Sequence, residues 1–316
     1  MELTKSTYEA NLEVFSKTLQ SLAECDRNIL VVTSDSRGSG KLVPFGQKFP
    51  DQIIEVGIAE QNLVGVAAGC ASMGKKVFAV SPACFLTARS LEQIKNDVAY
   101  SDNPVNLIGI SAGVSYGALG STHHSLHDYA VLRAIHNMMI VAPADNFETA
   151  EAVRQAAILD KPVYIRFGKK GMPTLNGSID PAFHFGKGRL IREGRDLTFI
   201  GTGETVWPCE EAAILLAEQF GIQSRVISMH TIKPLDVDLL RSIAGQGKPI
   251  ITVEEHSVHG GLGEAIASFL FQNGFRNAFK IVGIPDEYTV TGSQLEIFAH
   301  YGITAEGLSA SALSIL

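Results

Sequence analysis

The apolar positions fall into short β-branched runs separated by longer stretches whose apolar residues recur at helical spacing. Runs at 29–34, 77–81, 105–110, 139–142 and 163–167 are almost continuously apolar, which predicts strands covered on both faces. Stretches near 6–24, 58–73, 86–99, 125–136 and 145–158 carry a helical period. Strands alternating with helices of this length predict right-handed crossovers and a parallel sheet. Asp145, followed by Glu148 and Glu151, reads as a helix cap with an acidic first turn. Pro143 ends one strand, and Pro162 begins the next.

From 168 the period is lost in a stretch rich in turn residues. Alternation resumes with strands at 197–200, 225–229, 250–253 and 280–284 and helices near 205–220, 235–245 and 261–273. The expected fold class is α/β in two domains, each a mainly parallel sheet with helices on both faces. The expected bounds are 1–168, a linker at 169–188, and a smaller domain at 189–316. A length of 316 residues agrees with two domains at roughly 150 residues each.

Composition removes several function classes. The net charge is −7 and no Lys/Arg stripe forms, so no nucleic-acid partner is expected. The first fifteen residues lack the cationic start and apolar core of a signal peptide. No apolar stretch approaches the roughly 18 residues of a membrane span. Cys25, Cys70, Cys84 and Cys209 are scattered, with no Cys-x-x-Cys pair, which suits reduced thiols and a cytoplasmic setting.

Four constellations carry candidate chemistry. In Glu55-Val-Gly-Ile-Ala-Glu-Gln-Asn62, a buried-strand run enters a Gly turn, and Glu60 opens an otherwise small, apolar helix. Glu60 reads either as a first-turn acid complementing the dipole or as a carboxylic acid in a dry pocket, able to share a proton with a ligand nitrogen. In Ser81-Pro-Ala-Cys-Phe85-Leu-Thr-Ala-Arg89, Phe85 stands at a strand-to-helix turn. In Gly120-Ser-Thr-His123-His124-Ser-Leu-His127-Asp128, three histidines crowd together without a carboxylate or Cys cluster at ligand spacing, so no metal site is expected. Ser125 reads there as a helix cap. In Tyr164-Ile-Arg166-Phe-Gly-Lys169-Lys170, cations stand at the end of a strand, where parallel sheets bind ligands.

The wording of these stretches resembles transketolases and, more broadly, thiamine-diphosphate enzymes, over essentially the whole chain. The resemblance implies that Glu60 meets N1′ of the thiamine aminopyrimidine and acts with His123 in catalysis. It implies that Phe85 packs on the pyrimidine, with Ile58, Gln61 and Arg89 as further cofactor contacts. His123, Lys169, Ser111, Leu119 and Arg166 are the implied substrate contacts. Three of these depart from the family: Leu119 replaces an Asp, Ser111 a His, and Lys169 a phosphate-binding Arg. A non-standard sugar substrate is therefore expected. The Gly-rich turns at 256–264 and 201–204 fit neither the P-loop nor the dinucleotide fingerprint and read as structural.

No Gly-Asp-Gly, the family's diphosphate and metal segment, occurs in the sequence. The resemblance then implies an N-terminal transketolase subunit as partner, holding Mg²⁺ or Ca²⁺, in an α2β2 heterotetramer. Two alternatives remain open at this point. One is a 2-oxo acid dehydrogenase β-like or deoxyxylulose-phosphate-synthase-like subunit. The other is a catalytically inactive assembly subunit.

Overall fold

The computed structural model describes residues 8–175 and 183–316. Strands β1 (Ile29–Thr33), β2 (Ile53–Glu55), β3 (Lys76–Pro82), β4 (Val105–Ile110), β5 (Met139–Val141) and β6 (Val163–Phe167) form a parallel sheet in the order β5-β6-β4-β3-β1-β2. Its two faces are both buried. Phe15, Leu19 and Val153 cover one face with Phe78 and Ile108, while Leu63, Ala67 and Leu86 cover the other with Ala79 and Leu107. This double burial is why the strand runs read as unbroken apolar stretches.

The second half carries β7 (Arg189–Arg192), β8 (Leu197–Gly201), β9 (Ser224–Ser228), β10 (Thr231–Lys233), β11 (Ile250–Ser257) and β12 (Phe279–Ile284). Five of them form a sheet in the order β12-β11-β8-β9-β7, parallel except for β7. The sixth, β10, crosses to the first sheet and pairs antiparallel with β5. Neither β7 nor β10 is visible in the apolar pattern, because each is short and is fixed by pairing with its neighbour.

Several helix bounds differ from expectation. The stretch 125–136 is helical only over Asp128–Arg133. Ser125 is not its cap: the Ser125 N–H donates to the Gly113 carbonyl at 2.8 Å. The stretch 86–99 starts earlier, as Ala83–Arg89, and continues through Leu91–Gln93 into a wide π turn at Ile94–Tyr100. Helices Gln294–His300 and Ala305–Leu313 were not expected, although Ser293 and Thr304 cap them. Asp145 does cap Asn146–Ala156, accepting the Glu148 N–H. Of the proposed linker, 176–182 lies outside the described residues, as do 6–7 of the first helical stretch. On the flanks, Gly171 bridges to Ala10, and buried Phe183 stacks on His230 at 4.1 Å.

Candidate functional site

The candidate residues gather at the carboxyl ends of β2, β3, β4 and β6, where side chains leave a parallel sheet without backbone partners. The turn before Glu60 is shaped by Glu55, whose carboxylate accepts the N–H groups of Asp35 at 2.7 Å and Gly57 at 2.9 Å. Gly57 takes φ +74°, open to glycine without cost. Burial raises the Glu55 pKa, but these hydrogen bonds, with that of the Thr33 hydroxyl, bring it net below the usual carboxylate range. Glu60 follows at the first position of helix Glu60–Ser72, only 4% exposed.

Both Glu60 oxygens accept from Arg89 Nη1, at 2.9 and 3.0 Å. The expected dry pocket is therefore not closed by this chain. Glu60 instead lines a cleft of about 590 Å³ with Ile58, Ala59, Gln61, Asn62 and Arg89, and Ile58 is 73% exposed there. Arg89 lies four residues beyond Phe85 on one helix face, so its guanidinium also covers the Phe85 ring at 4.2 Å. Phe85 meets His123 edge-on at 5.4 Å. His123 meets Tyr116 edge-on at 5.3 Å, and Lys169 Nζ sits over the Tyr116 ring at 4.4 Å. Glu60, Arg89, Phe85, His123, Tyr116 and Lys169 thus form one continuous row of contacts.

The sequence matches the model of the transketolase pyrimidine-binding domain over residues 10–174 and that of the transketolase C-terminal domain over 186–308. The chain belongs to the transketolase family. Membership places it among the thiamine-diphosphate proteins with a transferase role. Among its relatives is a subunit of the apulose-4-phosphate transketolase of Phocaeicola vulgatus, 48% identical over 96% of both chains. A 1-deoxy-D-xylulose-5-phosphate synthase of Heliobacterium modesticaldum is 36% identical over 94% of this chain and 46% of the synthase. Among solved structures, a split-gene transketolase described as an inactive beta4 tetramer is 35% identical, with TM-score 0.85 and coverage of 97% and 98%. The transketolase of Leishmania mexicana, 19% identical at TM-score 0.83, shares the fold over 99% of this chain and 46% of its own.

In this transketolase-family chain, two candidate substrate contacts are turned away from the row. Arg166 is not a free cation at a strand end. It is 6% exposed, with Nη1 at 2.9 Å from Asp128 Oδ1, Nη2 at 2.8 Å from the Glu255 carbonyl, and its guanidinium over the Tyr129 ring at 4.3 Å. Burial opposes ionised Asp128, yet Arg166 and His256 hold its carboxyl below the usual range. The network continues from Glu255 through Gln294, which donates to Glu255 and Glu204 at 2.9 and 2.8 Å. Arg166 therefore ties the first sheet to the second. Ser111 is fully buried at φ +55°, and its hydroxyl has no hydrogen-bond partner among the described residues. The Tyr116 phenol lies beside it, its pKa raised by burial. Leu119 is exposed on the 3₁₀ turn Gly117–Leu119.

The three histidines diverge. His123 joins the row, buried His124 contacts the Gly117 carbonyl at 2.9 Å and Thr289 at 2.8 Å, and His127 faces the Thr87 hydroxyl at 3.3 Å. The Gly-rich turn at 256–264 has its helix N-terminus filled from within. Glu254 accepts the Leu262 and Gly263 N–H groups at 2.7 and 2.9 Å, leaving no cradle for a phosphate. Among the described residues, no group of three His, Cys, Asp or Glu side chains is placed to hold a metal, and no helix is long and apolar enough to cross a membrane. Tyr116 and Asp128 were missed from sequence. Tyr116 had one legible signal, an aromatic ring in a Gly-flanked loop just past a strand's carboxyl end.

Proposed function

We propose that this chain is the C-terminal subunit of a two-chain transketolase. It would move a two-carbon ketol unit from a ketose or ketose phosphate to an aldose acceptor, using thiamine diphosphate. The observation that carries this reading is the open row from Glu60 to Lys169, in a sequence without Gly-Asp-Gly. A carboxyl group at a helix start beside a half-buried aromatic ring suits an aminopyrimidine, which offers a flat apolar face and a ring nitrogen that shares a proton.

In this reading Glu60 holds a proton at that ring nitrogen. Phe85 packs on the ring face, and Ile58 and Gln61 border it. Arg89 releases one or both Glu60 oxygens as the ring arrives. His123 hydrogen-bonds substrate oxygens, and Lys169 takes a phosphate as a point charge. When bound, the cofactor supplies a carbon nucleophile and an electron sink. The N-terminal partner subunit would hold the diphosphate and its Mg²⁺ or Ca²⁺, in an α2β2 assembly. The relatives described as a transketolase subunit and as a split-gene enzyme support that division. Domains at 1–168 and 189–316, joined by 169–188, belong to the same proposal, as does a cytoplasmic setting.

The substrate is proposed to be non-standard. Leu119, Ser111 and Lys169 all depart from the usual pattern, and apulose 4-phosphate, named for the 48%-identical relative, is the first candidate. Comparable turnover of xylulose 5-phosphate plus ribose 5-phosphate by the assembled enzyme would sink that substrate reading. Purifying the chain alone and with its partner tests the split site. Substantial activity of the lone chain would contradict it, and pyruvate-dependent CO₂ release would favour the decarboxylating, synthase-like alternative.

A further inference from the structure

We infer that Tyr116 is a positioning residue that sets this site's preference for phosphorylated substrates, by holding Lys169 and His123 on one aromatic ring. The inference rests on the transketolase reading above and deepens it. Tyr116 belongs to the loop that leaves β4, and both flanks of that loop are fixed. At Gly113, φ +59°, an added Cβ would meet the Glu255 carboxyl carbon at 2.2 Å. The Val114 N–H donates to Glu255 Oε1 at 2.8 Å. At Gly117, φ +55°, the carbonyl is in contact with His124 Nε2 at 2.9 Å. The ring is therefore set in place by backbone that the buried inter-sheet network holds.

The ring does three things from that position. It lies against Ser111, so the residue at the family's usual His position is buried rather than facing the substrate. It presents its edge region to His123, with centroids 5.3 Å apart at 68°. Its face carries the Lys169 ammonium at 4.4 Å. Among the described residues, Lys169 has no carboxylate within 4.0 Å. A cation seated on a ring keeps its N–H donors for an external anion, whereas one paired with a carboxylate does not. With Leu119 apolar and exposed, polar recognition along the row falls to His123 and Lys169, one ring apart. That spacing suits a short sugar whose phosphate reaches Lys169 while its hydroxyls meet His123.

The test uses the assembled two-chain enzyme with hydroxypyruvate as donor and either D-glyceraldehyde or D-glyceraldehyde 3-phosphate as acceptor. Tyr116→Leu is expected to raise KM for the phosphorylated acceptor about tenfold, the size of a lost cation–π contact. The inhibition constant of inorganic phosphate should rise by the same factor. Because His123 loses the same ring, kcat and the KM for unphosphorylated glyceraldehyde should also worsen, but by no more than about threefold, so that the preference for the phosphorylated acceptor falls. Tyr116→Phe keeps the ring and should keep the preference. Equal KM shifts for both acceptors, no shift for either, or a Tyr116→Phe variant as damaged as Tyr116→Leu would each overturn the inference. If the wild-type complex transfers no ketol unit to either acceptor, the transketolase reading falls and the inference with it. An active wild type with equal shifts overturns the inference alone.

Discussion

Two charged constellations stand a few residues apart in sequence and behave in opposite ways. Lys169 lies exposed at the open rim with an aromatic face for support and, among the described residues, no carboxylate within 4.0 Å. Arg166, three residues earlier, is buried with Asp128 and Glu255 and spends its guanidinium on them. Along the rim, Glu60 is 4% exposed and, among the described residues, is paired to Arg89, itself 48% exposed, so a ligand that displaces this one solvent-facing cation can take its place at the carboxyl group. In the interior, removing one member strands the others in low dielectric. Charge at a strand's carboxyl end thus serves a ligand or joins two sheets, depending on which neighbours cover it.

The largest expected effect tests the rim. Glu60→Ala, assembled with partner, should lose about 10²–10⁴ in kcat, the range of a lost proton-sharing group. Its thermal midpoint should barely move. Activity near wild type would remove Glu60 from the chemistry and break the contrast at its first member. Next comes the interior. Arg166→Ala should cost about 3–5 kcal/mol of stability by urea denaturation, because ionised Asp128 is left buried without its cation. A stable Arg166→Ala chain whose assembled enzyme had a raised KM for phosphorylated substrates would return Arg166 to the substrate site.

Lys169→Ala should raise KM for a phosphorylated substrate about tenfold, while stability changes by no more than about 0.5 kcal/mol, as for an exposed side chain. The smallest effect is in pH dependence. Burial and the neighbouring Glu204 push Glu255 up to about 8, against the pull of Arg166. A raised carboxyl pKa means that the folded chain binds the proton more tightly. Its contribution is present in full below the unfolded pKa near 4.3 and is lost as pH rises toward 8. The thermal midpoint of the chain should therefore fall between about pH 6.5 and pH 8, and Glu255→Gln should flatten that slope. On the acid side the sign reverses. Burial lowers His256 to about 4, so stability is lost as pH falls from its unfolded value of 6.5 through that range. A midpoint indifferent to pH in Glu255's window would mean that the interior network is solvated, and the contrast with the rim would weaken.

The sequence by itself determined the α/β class, the strands of both sheets that are buried on two faces, and the positions of Glu60, Phe85, His123 and Lys169. Those features are local. An apolar run has to be a covered strand, and an acid opening an apolar helix or a residue just past a strand is placed by its own segment. The family resemblance rested on those same local stretches, and the matches to both transketolase domains agree with it. What only the tertiary structure decided were the features that need a second segment to exist. The β10 strand is defined by the partner strand across the sheet. Arg89 was legible as a contact, but its grip on Glu60 came from a turn of helix laid beside another helix's first residue. Ser111 and Arg166 looked like rim residues until Tyr116 and the second sheet covered them. Burial is a sum over neighbours distant in sequence, and a single chain position does not carry it.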